Sequence, residues 1–320
     1  MIAFVFPGQG AQYVGMGVDL AARHAAARRV FEEASEAIGI DLLALCREGP
    51  EDRLRETENT QPAILTASWA VAVVLAETGV RPDAAAGLSL GEYAALVAAG
   101  AMGFADAVRV VRQRGRFMQE AASGRRTGMA AVLGLDAARV VEICREVAGC
   151  VEAANFNAPG QVVIGGEEEA VAQASQRLRA AGARRVVPLA VSAPFHTPLM
   201  APAAARLAAV LADVPISPAR IPVVANVSAR PVREPEEIRA ALIEQVASPV
   251  RWEESLYTLR ELGARLFLEA GPGTTLAGLV RRTLPGIPVV SAGDQATLEG
   301  ALAALRVTAG RGQDHSGRRE

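Results

Sequence analysis

The chain has 320 residues and a formal net charge of −2, with 51% hydrophobic and 21% charged residues. At roughly 100–200 residues per domain it holds one large domain or two unequal ones, and its composition excludes global disorder. Near-neutral charge and 4% aromatic content leave no electrostatic footprint for nucleic acid and few stacking platforms for single strands.

The first element is an apolar strand, Ile2–Phe6, stopped by Pro7-Gly8. No basic segment precedes it, so no export signal and a cytoplasmic location are expected. Gly8-Gln9-Gly10 is not a dinucleotide fingerprint, because Tyr13 stands where the third glycine belongs. A helix including Leu20–Gly39 follows. Asn59-Thr60-Gln61-Pro62 opens an apolar helix ending near Gly79, with Pro in its first turn. Its nearly apolar run, Ala63–Ala76, is shorter than the ~20 residues that span a bilayer, so it reads as a buried helix and no membrane is expected. Asp83–Gly87 is a short strand, Leu90–Ala99 a helix, and Phe104–Ala122 a helix bearing Arg109, Arg112, Arg114 and Arg116.

The texture changes at Ser123-Gly124. Thr127–Leu135 reads as a strand, Asp136–Ala148 as a helix capped by Asp136, and Val151–Asn155 and Val162–Gly165 as strands. Glu167–Ala181 is a helix and Arg185–Ala190 a strand. The order βαββαβ is ferredoxin-like and predicts a small subdomain over 124–192, inserted into a larger unit made of 1–123 and 193–307. In that larger unit, Ala201–Asp213 is a helix, Ile221–Asn226 a strand, and Pro235–Gln245 and Trp252–Leu262 are helices. Arg265–Glu269, Thr274–Thr283 and Ile287–Ser291 read as strand, helix and strand. Alternation of strands and helices predicts an α/β fold with a mostly parallel sheet. The polar tail, 308–320, is expected to be disordered. Asn226-Val227-Ser228 matches a glycosylation sequon, which without export is a chance match.

Scarcity narrows the chemistry. Lysine is absent, which removes Schiff-base lysines, a P-loop lysine and a Ser–Lys pair. Three histidines (His24, His196, His315) and three cysteines (Cys46, Cys144, Cys150) without a CxxC motif make a metal site or a disulfide framework unexpected. Gly87-Leu88-Ser89-Leu90-Gly91 matches G-x-S-x-G between a strand and a helix, the context of a nucleophile elbow. The same residues also describe a plain helix start with a serine cap. A serine nucleophile needs a base. His24 lies in a surface-looking helix and His315 in the tail, so elimination leaves His196, in Ser192-Ala193-Pro194-Phe195-His196-Thr197-Pro198. No orienting carboxylate is evident between Ser89 and His196; a backbone carbonyl is the alternative.

Phe6-Pro7-Gly8-Gln9-Gly10, Gly87-Leu88-Ser89-Leu90-Gly91-Glu92-Tyr93, Arg114-Gly115 with Phe117-Met118, Phe195-His196, Pro249-Val250-Arg251-Trp252 and Glu269-Ala270-Gly271-Pro272-Gly273 occur in that order. Together they make the chain resemble the malonyl-CoA:acyl-carrier-protein transacylases and the related acyltransferases of polyketide synthases, from Ile2 to about Leu305. The resemblance implies an α/β-hydrolase-like large domain interrupted by the ferredoxin-like one. It implies acylation of Ser89 by malonyl-CoA, with His196 as the base, then transfer to the phosphopantetheine thiol of an acyl carrier protein. The pathway would be fatty-acid or polyketide biosynthesis. No permanently bound cofactor is implied, and coenzyme A arrives only as the substrate thioester. Backbone N–H groups of Gln9 and Leu90 would form the oxyanion hole, each worth ~2.7–4 kcal/mol in such sites. The carbonyl of Gln245 would orient His196. Arg114 would bind the malonyl carboxylate, which suits a planar guanidinium better than an ammonium. Phe195 resembles malonyl-selecting members, and Gln61, Asn157 and Gln161 fall where the cleft is lined.

Leu88 departs from the histidine many members carry, at a position outside the chemistry. Arg125, Arg126, Arg184, Arg185, Arg281 and Arg282 are candidates for an acidic carrier, or simply solubilising charge. Other readings of the same scaffold are a discrete polyketide acyltransferase with a different acyl substrate, an acyl-thioester hydrolase, or a non-catalytic docking module.

Overall fold

The computed structural model describes residues 1–313, with side-chain environments through Arg306. Ten strands form two sheets: β1 (Ile2–Phe6), β2 (Ala84–Gly87), β3 (Thr127–Leu133), β4 (Val151–Ala158), β5 (Gln161–Glu167), β6 (Arg185–Pro188), β7 (Val223–Val224), β8 (Pro231–Val232), β9 (Leu266–Ala270) and β10 (Val289–Ala292). The six-stranded sheet has the order β10-β9-β1-β2-β7-β8. Its neighbours are parallel except β8, which runs antiparallel to β7.

Period-two alternation sets its two faces. Phe4 and Phe6 enter one apolar cluster with Ile64 and Tyr93, while Ala3 and Val5 enter another with Trp252 and Phe267. Both faces are covered, so β2 can be Ala84-Ala85-Ala86-Gly87 and still be buried throughout. Its weak strand propensity is overridden by pairing with β1 and β7 on either side.

The four-stranded sheet, β4-β5-β3-β6, is antiparallel throughout. With helices Ala137–Arg145 and Glu168–Ala180 it encloses its own core, which includes Val132, Ile143, Ile164 and Leu178. All of these lie between residues 127 and 188. The predicted cap holds: the Asp136 side chain accepts from the Ala138 N–H. A bulge in β4 is tied to the segment before Trp252. The Phe156 N–H donates to the Val250 carbonyl at 2.8 Å, and the Val250 N–H donates to the Ala154 carbonyl at 2.9 Å. These bonds hold Asn155 and Asn157 beside the carboxyl ends of the parallel strands.

Several local expectations are corrected. The first long helix is two, Val18–Arg23 and Ala25–Ile38, because His24 is extended between them. His24 is not a solvated position on a helix face: its Nε2 donates to Gln295 Oε1 at 2.7 Å. The apolar helix begins at Thr57, so Pro62 lies inside it and not in its first turn. That start places Gln61 on a buried turn of helix instead of in a loop. Two short helices, Leu42–Glu48 and Glu51–Arg55, and strand β8 have too few residues to show periodicity and were not expected.

The last helix spans Gln295–Gln313 and overlaps the start of the expected disordered tail, where the Ala-rich segment after Leu298 carries helix onward; 314–320 lie outside the described residues. Helix Thr57–Glu77 has the length and hydropathy to cross a membrane, yet 83% of its most apolar window is buried inside the fold. It packs closely on helix Phe104–Ala122. A Cβ on Gly115 would lie 2.5 Å from the Thr57 carbonyl oxygen, so only glycine admits this approach.

Candidate active site

Ser89 occupies a turn between β2 and helix Gly91–Ala98, with a left-handed φ of 53°. For a serine this conformation is strained and must be held by its surroundings. Two features hold it. A Cβ on Gly91 would lie 2.1 Å from the Phe6 carbonyl oxygen, so the helix starts against the end of β1. Asn226, just past β7, closes the turn: its Nδ2 donates to the Gly87 carbonyl at 2.7 Å, and its Oδ1 accepts from the Ser89 N–H at 2.6 Å. The Leu90 N–H, at the helix N-cap, lies among the amides that have no intrahelical acceptor.

His196 also has a left-handed φ, 60°, in the loop after β6. Its Nε2 lies 2.7 Å from Ser89 Oγ, and its Nδ1 lies 2.8 Å from the Gln245 carbonyl oxygen. A carbonyl only accepts, so Nδ1 carries the proton and Nε2 is free to accept from the serine hydroxyl. Thus helix Pro235–Gln245 supplies from its C-terminal end the oxygen that fixes the ring.

Arg114 projects from helix Phe104–Ala122 and is 2% exposed. Its Nη2 donates to Ser89 Oγ at 3.1 Å and to Gln245 Oε1 at 2.9 Å, and its Nη1 donates to Gln61 Oε1 at 2.8 Å. All three bonded acceptors are neutral, and among the described residues no carboxylate forms an ion pair with it. The other arginines on this helix serve elsewhere. Arg109 pairs with Asp106, Arg116 with Glu120, and Arg112 donates to the Ile38 carbonyl.

These groups open onto a cleft of about 810 Å³. Gln9, Gln61, Ser89, Leu90, Arg114, Asn157, Gln161, Phe195 and His196, each singled out from the sequence, all line it. Gln245 lies beneath the floor, 1% exposed. The two walls come from different parts of the chain: the loop after β1 on one side, β4, β5 and residues 189–192 on the other. Arg282 donates to Gln161 Oε1 at 3.4 Å and to the Pro159 carbonyl at 3.1 Å. Arg126 is engaged by Glu168 at 2.8 Å. Among the described residues no group of three or more His, Cys, Asp or Glu side chains is arranged to hold a metal ion, and the three cysteines are unpaired thiols.

Sequence reasoning missed two residues. Asn226 was read only as part of a sequon, although a polar residue ending a strand of a parallel sheet lies at the edge where sites form. Glu92 was quoted within the motif and given no role. Its carboxylate is 1% exposed and accepts from the Asn226 N–H at 2.9 Å and Gln245 Nε2 at 2.8 Å. Burial pushes its pKa up to about 7, against the lowering effect of those two donors and of Arg114. Burial, reinforced by the Arg114 charge, holds His196 down to about 3, so the resting imidazole is neutral and keeps the Nε2 lone pair. Burial also lowers the pKa of Arg114, against the raising effect of Tyr93 and Glu92.

A family model described as an acyl transferase domain matches residues 3–304. The malonyl CoA-acyl carrier protein transacylase of Bacillus subtilis is 46% identical over 308 residues, covering 95% of this chain and 97% of that protein. Among solved structures, the malonyl CoA-acyl carrier protein transacylase of Clostridium perfringens superposes with a TM-score of 0.95 at 39% identity, covering 98% of this chain and 99% of that one. A malonyl-transacylase solved in complex with a type II PKS acyl-carrier protein gives a TM-score of 0.92 at 45% identity, covering 95% and 99%.

Proposed function

The chain belongs to the acyl transferase domain family, and from that premise we propose that it moves malonyl from malonyl-CoA to the phosphopantetheine thiol of an acyl carrier protein, with Ser89 as the intermediate acyl acceptor. One observation carries the choice of acyl group. The Arg114 guanidinium is buried within hydrogen-bond reach of Ser89 Oγ and bonds only neutral acceptors. A buried guanidinium with no carboxylate within ion-pair distance is costly, and a carboxylate on the acyl chain supplies one.

The distances around Ser89 support the following steps. Ser89 Oγ attacks the thioester carbonyl while His196 Nε2 takes its proton, and the Gln245 carbonyl stabilises the resulting imidazolium through Nδ1–H. The Leu90 and Gln9 amides receive the oxyanion. Collapse breaks the C–S bond, and His196 returns the proton to the CoA thiolate. In the second half-reaction His196 takes the proton of the carrier thiol, whose sulfur attacks the malonyl ester, and Ser89 leaves with that proton. Coenzyme A is thus substrate and product. Phe195, Asn157, Gln161 and Gln61 shape the acyl and pantetheine ends of the cleft.

We assign the catalytic unit to 1–123 with 193–307 and the small subdomain to 124–192, the cleft lying between them. A cytoplasmic setting, in fatty-acid or polyketide assembly, agrees with three unpaired thiols. Labelled malonyl-CoA with and without a holo carrier protein tests the reading. The expected result is label on Ser89 that discharges to the carrier; free malonate at the same rate without carrier would make the protein a hydrolase.

A further inference from the structure

We infer that Glu92 is a positioning residue, whose single carboxylate oxygen sets the placement of Ser89, His196 and Arg114 together. Oε2 accepts from both the Asn226 N–H and Gln245 Nε2. Through Asn226 it acts on the elbow, because that side chain spans the Gly87 carbonyl and the Ser89 N–H. Through Gln245 it acts on the other two groups. The Gln245 amide donates to Glu92 and, at 3.0 Å, to the Ser89 carbonyl; its Oε1 is therefore turned towards Arg114. An amide rotated the other way would set its NH2 against the guanidinium and leave Glu92 without a donor. The same residue's backbone carbonyl holds His196 Nδ1.

Glu92 reaches these donors because it lies in the first turn of helix Gly91–Ala98, three residues after the nucleophile. It touches no reacting atom. What the site requires of it is an acceptor at this reach, not a charge. The charged or titratable groups that act on it, Arg114 and Tyr93, are not among its hydrogen-bond partners.

The inference rests on Ser89 being the malonyl acceptor, and two variants separate reach from charge. Glu92→Gln keeps the acceptor and length but removes the charge; Glu92→Asp keeps the charge and shortens the reach by one methylene. Ser89 acylation is followed by intact-protein mass after rapid mixing with malonyl-CoA or acetyl-CoA, with folding monitored by circular dichroism. Glu92→Gln is expected within about threefold of the parent, because both hydrogen bonds to this oxygen are kept and only their charge assistance is lost. Glu92→Asp is expected to be about ten- to a hundredfold slower, as small misplacements of reacting groups are, with a lower malonyl-to-acetyl ratio because Arg114 shifts too.

An Asp variant as fast and as selective as the parent overturns the inference, as does a Gln variant as slow as the Asp one. If the Asp variant does not fold, the Gln variant decides alone. A parent-like rate and pH profile supports positioning; a pH limb present in the parent and missing from the variant shows action by charge and overturns it. A parent that takes no malonyl refutes the reading of the reaction instead.

Discussion

Asn226 Oδ1 accepts the Ser89 N–H at 2.6 Å, so the strained Ser89 turn is closed by a residue 137 positions away in the chain. Asn226→Ala would leave the Gly87 carbonyl and the Ser89 N–H without this partner, at about 1–3 kcal/mol for each buried group. The expected outcome is a lower thermal midpoint together with an acylation rate reduced about tenfold or more. Calorimetry and rapid-mixing mass spectrometry on one preparation check both, and a fully active, unaltered variant would remove Asn226 from the elbow.

Arg114→Ala is expected to lose malonyl preference while keeping some acylation by acetyl-CoA. Charge-assisted hydrogen bonds contribute about 1.5–3 kcal/mol, so kcat/KM for malonyl-CoA drops roughly ten- to a hundredfold or more. Arg114→Lys does not restore it, because a single ammonium cannot bond Gln61, Gln245 and a substrate carboxylate in one plane. Competition between the two thioesters gives the ratio directly, and an unchanged ratio refutes the carboxylate role.

Gly91→Ala puts a methyl 2.1 Å from the Phe6 carbonyl oxygen and 2.9 Å from that of Pro7. The helix must move away from β1 and carry the elbow with it, costing at least about 1–3 kcal/mol by the usual scale of overpacking. Gly278→Ala, in helix Thr275–Thr283 with open space at its Cβ, is the matched control and gains about 0.5–1 kcal/mol of helix propensity. Denaturant midpoints of the two variants should shift in opposite directions.

Two buried groups give opposite pH dependences of stability. Glu92 is held up at about 7, so between pH 4.5 and 7 the folded protein retains a proton the unfolded chain has released, and stability falls as pH rises. His196 is held down at about 3, so between pH 3 and 6.5 the unfolded chain binds a proton the folded protein lacks, and stability rises with pH. Each contributes up to ~1.4 kcal/mol per pH unit, and from pH 4.5 to 6.5 the two oppose each other. Glu92→Gln removes one side. Urea midpoints measured across that range should therefore climb more steeply with pH in the variant than in the parent; equal slopes would contradict the pKa assigned to Glu92.

The sequence by itself determined most of the long strands and helices in their order, the ferredoxin-like unit between two halves of an α/β chain, and the candidate chemical groups. Strand and helix periodicities, turn glycines and prolines, and the elbow motif are local signals, legible wherever a segment is long enough to repeat. Scarcity helped as well: with three histidines and no lysine, His196 was the remaining candidate base. Arg114 was legible only through the Arg114-Gly115 and Phe117-Met118 motif that carries the resemblance, since periodicity alone leaves it one of four arginines on its helix. Apart from the Gln245 carbonyl, which the resemblance named, only the tertiary structure decided which polar residues hold these groups. Glu92, Asn226 and Gln245 meet because the carboxyl end of β2, the end of β7 and the end of a later helix converge on one buried point. Hydrogen bonds between segments some 130–150 residues apart leave no spacing in the chain, so the network that aligns the site exists only once the sheet has assembled.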